Sequence, residues 1–259
     1  MAQEKQRGQM KLNVGEGRET AWGRAHRDWT TLDGYEPADI RVDLMRGELV
    51  HWGDLRAQSV DLAICSHTLQ YLDSGASANC LRALRSYLVD GGTLRVTVPD
   101  ADRAIDAYLS RDHAWFDGVC EIDCYGDTLE EKFGSFFATY YDAEGEEHGV
   151  PLDQRMRDAV RRQMRSGYYT VDSLSAHFAS LIPLDVARVG RCSGHNYTTL
   201  ARALCAAGFQ LVKRRRPMES REPELRAPGY DNRVHTSVYV EAWTETCITS
   251  SDDDDDDEP

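Results

Sequence analysis

Four short stretches in the first seventy residues place chemically useful side chains directly after apolar runs. Lys11-Leu12-Asn13-Val14 reads as a strand that ends in Gly15-Glu16-Gly17. A glycine turn at a strand end lets the backbone approach a ligand closely, and a helix starting just after it favours polar or anionic groups. By themselves these residues fit a ligand-free strand-to-helix turn equally well. Asp28 falls near the end of a second strand read over residues 25–29, where a carboxylate can accept both hydroxyls of a ribose. Asp43 ends a third strand over residues 40–43, closed by Leu44, and is placed to accept a hydrogen bond from a purine amino group. Ser66-His67 follows a fourth strand over residues 60–65, whose continuous apolar run fits burial on both faces. In a parallel sheet all four ends share one edge, the edge where open α/β folds bind ligands. One such Asp is more often a cap; four positions in register point to a site.

The elements needed to hold those residues in register can be read from the hydrophobic pattern. Leu81, Leu84 and Leu88 recur at helical spacing, and Gly91-Gly92 is expected to end that helix. Residues 93–98 form a fifth strand, stopped by Pro99-Asp100. From 101 to about 195 the chain is polar and helical with scattered aromatics, among them Phe136, Phe137, Tyr140 and Tyr141 at i, i+4 spacing, which reads as one helical stripe. A structureless loop of that length is implausible, so the segment should fold and pack on the sheet. The strand pattern then resumes with a helix from Tyr197 to Ala207, a strand from Phe209 to Lys213, and an alternating strand from Thr236 to Trp243. The expected organisation is a polar, flexible N-terminal segment (1–9), one α/β domain (10–246) carrying a helical insertion (101–195) expected to supply a lid and the acceptor pocket, and a disordered acidic tail (247–259).

Composition narrows the function classes. The chain has 259 residues, 41% hydrophobic and 29% charged, which suits a globular protein with a real core. The net charge is −14, and Asp252 to Glu258 supply half of it in a block expected to stay solvated. The acidity argues against nucleic acid as the main partner; Lys213-Arg214-Arg215-Arg216 is a short basic run and reads as a solvated strand end. No run of eighteen apolar residues suggests a membrane span, and the polar N-terminus has no apolar leader core, so a cytoplasmic location is expected. Seven cysteines suit reduced, mostly buried thiols. Cys120 and Cys124 have C-x3-C spacing, yet no second ligand pair follows to complete a zinc site, and no metal is expected.

The run KLNVGEGRETAWGRAHRDW, with DIRVDL and SVDLAICSHTLQYL after it, resembles a family of class I S-adenosylmethionine (SAM) dependent methyltransferases. The later segments VDGGTLRVTVPD, HNYTTLARALCAAGFQLV and TSVYVEAW resemble the fifth strand, the penultimate helix and strand, and the final strand of that fold. The resemblance implies a Rossmann-like, mostly parallel sheet with an antiparallel last strand and the helical insertion after the fifth strand. It further implies SAM as cofactor: Gly15, Glu16 and Gly17 at its methionine end, Asp28 with Trp29 at the ribose, Asp43 with Leu44 at the adenine, and Ser66 with His67 near the sulfonium. Glu16 departs from the family's usual small residue, and GRAHRD replaces a G-W-x-N-x-D pattern. A dinucleotide is the rival ligand. Its fingerprint wants a third Gly or Ala where Thr20 stands, and an acid about twenty residues past the turn, whereas Asp28 lies thirteen past Gly15. The implied acceptor is a small molecule methylated at a hydroxyl or amine, such as a sugar, glycan or secondary metabolite. His67 is the first general base expected for it and His195, where the insertion rejoins the sheet, the second. A catalytically inactive, scaffolding version of the fold is the alternative.

Overall fold

In the computed structural model of the chain, residues 9–34, 37–46, 52–120, 122–231 and 233–244 are described. The acidic tail and residues 1–8 of the N-terminal segment lie outside them.

Strand β1 (Lys11–Val14) leads through a five-residue helix α1 (Ala21–Ala25) into β2 (Thr30–Asp33) and β3 (Ile40–Arg41). Strand β4 (Val60–Ser66), helix α2 (Ser74–Tyr87) and strand β5 (Leu88–Pro99) form the next unit. After the insertion come α7 (Tyr197–Ala206), β9 (Leu211–Arg215) and β10 (Ser237–Trp243). The seven strands lie in the order β3-β2-β1-β4-β5-β10-β9. The pairs from β3 to β5 are parallel, while β10 runs antiparallel to both β5 and β9. This is the expected Rossmann-like sheet with its antiparallel last strand.

Period-two alternation decides which side chains meet which layer. Leu94, Val96 and Val98 of β5 and Val238, Val240 and Ala242 of β10 join one core with Leu81, Leu84, Leu200 and Leu204 of α2 and α7. On the other face, Leu62 and Ile64 of β4 pack with Trp29 and Leu225. Arg95 and Glu241 also face that way, fully buried, under the loop between β9 and β10.

The second strand begins five residues later than the sequence suggests: residues 21–25 are helical and Thr30-Thr31-Leu32-Asp33 is the strand. Helix α2 ends at Tyr87, ahead of Gly91-Gly92, because Leu88 already pairs with Val60 and starts β5. The insertion is helical in α3 (Ala101–Ser110), a π-helical turn (Trp115–Val119), α4 (Leu129–Phe137), α5 (Gln154–Ser166) and α6 (Val171–Ala179). It also contains a three-stranded antiparallel sheet, β7 (Glu147–Gly149), β6 (Thr139–Tyr141) and β8 (Arg188–Val189), in that order. The aromatic stripe is therefore split: Phe136 and Phe137 end α4 in the insertion's own core, while Tyr140 and Tyr141 belong to β6. The basic run ends β9 largely solvated, with Lys213, Arg214 and Arg216 exposed, but two of its arginines are also paired. Arg215 Nε donates to buried Glu241 at 2.8 Å, and Arg214 Nη2 to Asp100 at 3.2 Å. Among the described cysteines only Cys65 and Cys80 are buried, fewer than expected.

Candidate functional site

Strand order reverses direction at β1, with β2 and β3 on one side and β4 and β5 on the other. Such a switch point opens a crevice at the carboxyl ends of the strands. A cavity of about 210 Å³ lies there, floored by Gly15, Asp33 and Gly34 and walled by Leu44 and Met45. His67, Thr68 and Tyr71 line it from beyond β4, and Tyr141 and Arg188 close it from the insertion's small sheet.

Gly15 is held in the left-handed region at φ +85°, and its N–H donates to the Leu32 carbonyl at 2.8 Å. A Cβ there would stand 2.0 Å from Thr68 Oγ1. Thr68 is fixed in turn, its hydroxyl 3.0 Å from the Val14 carbonyl and 3.1 Å from that of Ser66. Only glycine suits this turn. Gly17 is buried but serves α1: a Cβ on Gly23 would lie 2.2 Å from the Gly17 carbonyl. Glu16 is partly buried beside it, and neither residue lines the cavity. At five residues α1 is also too short to offer an anion site at its N-terminus.

The acid at the end of β2 is Asp33, not Asp28. Asp28 precedes the strand and accepts from Lys11 Nζ, the first residue of β1, so it sits at the opposite edge of the sheet with its side chain 64% exposed. That hydrogen bond holds its carboxyl below the usual range. Trp29 is 1% exposed, packed in the core with its indole N–H donating to Glu224 at 3.2 Å. Neither residue reaches the cavity. Asp43 is exposed just past β3, where its carboxylate accepts from the Met45 N–H at 3.0 Å and shapes the turn that presents Leu44 and Met45. Ser66 ends β4 and supplies the carbonyl facing Thr68.

His67 lines the cavity with left-handed backbone (φ +51°). Its Nδ1 is 3.4 Å from Arg233 Nη1 and its Nε2 is 3.1 Å from Ser237 Oγ. A guanidinium can only donate, so Nδ1 accepts, and the neutral ring carries its proton on Nε2 toward Ser237. Burial, reinforced by the Arg233 charge, pushes the imidazole pKa down to about 3. His195 is placed where the insertion rejoins the sheet, its carbonyl accepting from the Ala101 N–H at 2.8 Å. Its Nε2 lies 3.1 Å from Ser193 Oγ, burial lowers its pKa to about 4, and it does not line the cavity.

On the insertion side, the Arg188 guanidinium carbon stands 3.8 Å from the centre of the Tyr141 ring. The Tyr141 hydroxyl donates to Glu147 at 3.2 Å; burial first, and then Glu147, raise its pKa. Sequence reasoning missed Asp33, Thr68, Tyr71, Arg188 and Arg233, and placed Tyr141 on a helix instead of on β6. Of these only Asp33 left a legible signal: Thr30-Thr31-Leu32 is β-prone, and the acid falls eighteen residues past Gly15. That position removes the spacing argument against a dinucleotide and leaves Thr20 at the third glycine position as the sequence objection to it. Among the described residues no group of three or more His, Cys, Asp or Glu side chains could hold a metal, and no helix is long and apolar enough to cross a membrane.

No family model matches the sequence, and no curated protein is similar to it. Solved structures are similar at low identity. An S-adenosylmethionine dependent methyltransferase from Mesorhizobium loti is 18% identical, with 91% of this chain and 90% of that one covered and a TM-score of 0.40. An S-adenosylmethionine-dependent methyltransferase from Clostridium acetobutylicum is 9% identical, with 92% and 85% covered and a TM-score of 0.44. The CcbJ methyltransferase from Streptomyces caelestis is 12% identical, with 92% and 84% covered and a TM-score of 0.43.

Proposed function

We infer that the chain is a SAM-dependent methyltransferase acting on a small-molecule acceptor. The observation that carries this reading is the cavity at the β1/β4 switch point, with the glycine-only turn at Gly15 and a carboxylate, Asp33, at the end of the neighbouring strand. In this reading Asp33 takes the ribose role that the sequence assigned to Asp28. Leu44 and Met45 would offer an apolar wall to the adenine, with Asp43 shaping their turn, and the Gly15 backbone would face the methionine part. SAM supplies an electrophilic methyl on a sulfonium. The protein's task in such an in-line displacement is alignment of acceptor, methyl and sulfur, and Tyr141 and Arg188, in cation–π contact, would cover the pocket from the insertion side.

The expected bases do not fit that role. Both ring nitrogens of His67 face other groups, and a pKa near 3 makes it a poor proton acceptor at neutral pH. His67 is better suited to orienting Arg233 and Ser237 beside the cavity, and His195 to joining the insertion to the sheet. An acceptor that enters already nucleophilic, or that loses its proton to water, suits this pocket better than one needing a histidine base.

Labelled SAM incubated with the protein and a metabolite extract tests the enzyme reading. Transfer of label to a small molecule supports it. SAM binding without transfer to any small molecule would favour the scaffolding alternative. Transfer to protein or nucleic acid would correct the acceptor class.

A further inference from the structure

We propose that Cys120 and Cys124 are a reversible dithiol–disulfide pair, a redox site that reacts with low-molecular-weight disulfides such as oxidised glutathione. Their sulfur atoms stand 3.6 Å apart. A disulfide needs about 2.05 Å, so an approach of about 1.5 Å closes the bond. Both cysteines lie in non-helical chain between the π-helical turn at Trp115–Val119 and α4, where such a shift breaks no helix.

The loop is already pinned with the two side chains together. The Cys120 N–H donates to the Trp115 carbonyl at 2.6 Å, and the Tyr125 N–H to Ser135 Oγ at 2.8 Å. Between the cysteines, the Asp123 carbonyl accepts from Arg191 Nη2 at 2.6 Å, and Arg191 is itself 3% exposed and bound to the Ser135 carbonyl. Much of the entropy of ring closure is thus paid by the fold. Both thiols are partly exposed and open to a small oxidant. Cys65 and Cys80, which also face each other, are sealed in the core at 0% and 4% exposure.

The two thiols are unequal. Cys124 donates to Cys120 and lowers its pKa, with help from the Ile122 N–H, Arg191 and Arg233, while Cys124 is itself raised. Cys120 is therefore the attacking thiolate. It displaces one glutathione thiolate from oxidised glutathione and forms a mixed disulfide. Cys124, losing its proton, then attacks the Cys120 sulfur and releases the second glutathione. Two protein thiols lose two electrons, oxidised glutathione gains them, and both protons end on two reduced glutathiones.

The test uses the full chain and does not depend on what the cavity binds. Residues 112–132 form a single tryptic peptide containing both cysteines. After exposure to millimolar oxidised glutathione and alkylation, that peptide should appear about 2 Da lighter with neither thiol alkylated, and dithiothreitol should restore two alkylatable thiols. Cys124→Ser should trap glutathione on Cys120, and Cys120→Ser should react at least roughly tenfold more slowly. Two alkylatable thiols persisting after oxidant, or glutathione remaining on wild-type Cys120, would overturn the proposal.

Discussion

Asp33 and Asp28 are five residues apart in sequence but sit at opposite edges of the sheet. A carboxylate that binds a ribose through charge-assisted hydrogen bonds contributes about 1.5–3 kcal/mol. Asp33→Ala should therefore weaken S-adenosylhomocysteine binding by more than tenfold in a calorimetric titration. Asp28→Ala removes only an exposed pair with Lys11 and should leave affinity unchanged within about twofold. The acid was misplaced because the second strand was read over residues 25–29, although the β-branched pair Thr30-Thr31 just beyond it is the stronger strand signal. His67 gives a second residue-scale prediction. His67→Asn tolerates the left-handed backbone and should retain activity within about tenfold with an unshifted pH–rate profile. A general base would lose about 10²–10⁴-fold.

Among the elements, β1, β4 and β10 were legible because alternation and turn residues agree there. The insertion's small sheet was not, since β6, β7 and β8 have two or three residues each, too few to show a period. Nor does the basic run announce its partners, which lie up to 114 residues away in Asp100 and on the neighbouring strand in Glu241. Through Glu241, Arg215 joins a buried network: Arg95 Nη2 lies 2.7 Å from Asp231 and Nη1 lies 3.0 Å from Glu241, these three essentially without solvent exposure. The network fastens the loop that brings Arg233 to His67. Removing one member strands a buried charge, which costs about 3–5 kcal/mol. Asp231→Ala should lower the urea midpoint by a matching amount, and no loss of stability would show that this loop is not anchored through Arg95.

At the scale of the whole molecule, three clusters of buried side chains, one on each face of the sheet and one within the insertion, hold the fold. The parallel α/β plan and the edge bearing the site were readable from the order of apolar runs and glycine turns. A lid from the insertion was expected, but its composition was not readable, because Tyr141 and Arg188 come together only through tertiary packing. Buried histidines set an acid limit on stability. His67 and His195 take up protons near pH 6.5 when unfolded but only near 3 and 4 when folded. In between, the unfolded chain binds more protons, so stability is full above about pH 7 and falls as pH drops through 6.5 toward 4. The slope is at most about 1.4 kcal/mol per pH unit for each. Denaturation curves between pH 7.5 and 4.5 (roughly bracketing that transition) should show the decline, and a flat profile would mean that both rings ionise freely in the fold.

The central claim is that the β1/β4 crevice binds SAM, and direct calorimetry of the wild-type chain tests it. S-adenosylhomocysteine should bind at one site per chain with NAD giving no heat. No binding at millimolar S-adenosylhomocysteine, or preferential binding of NAD, would contradict it.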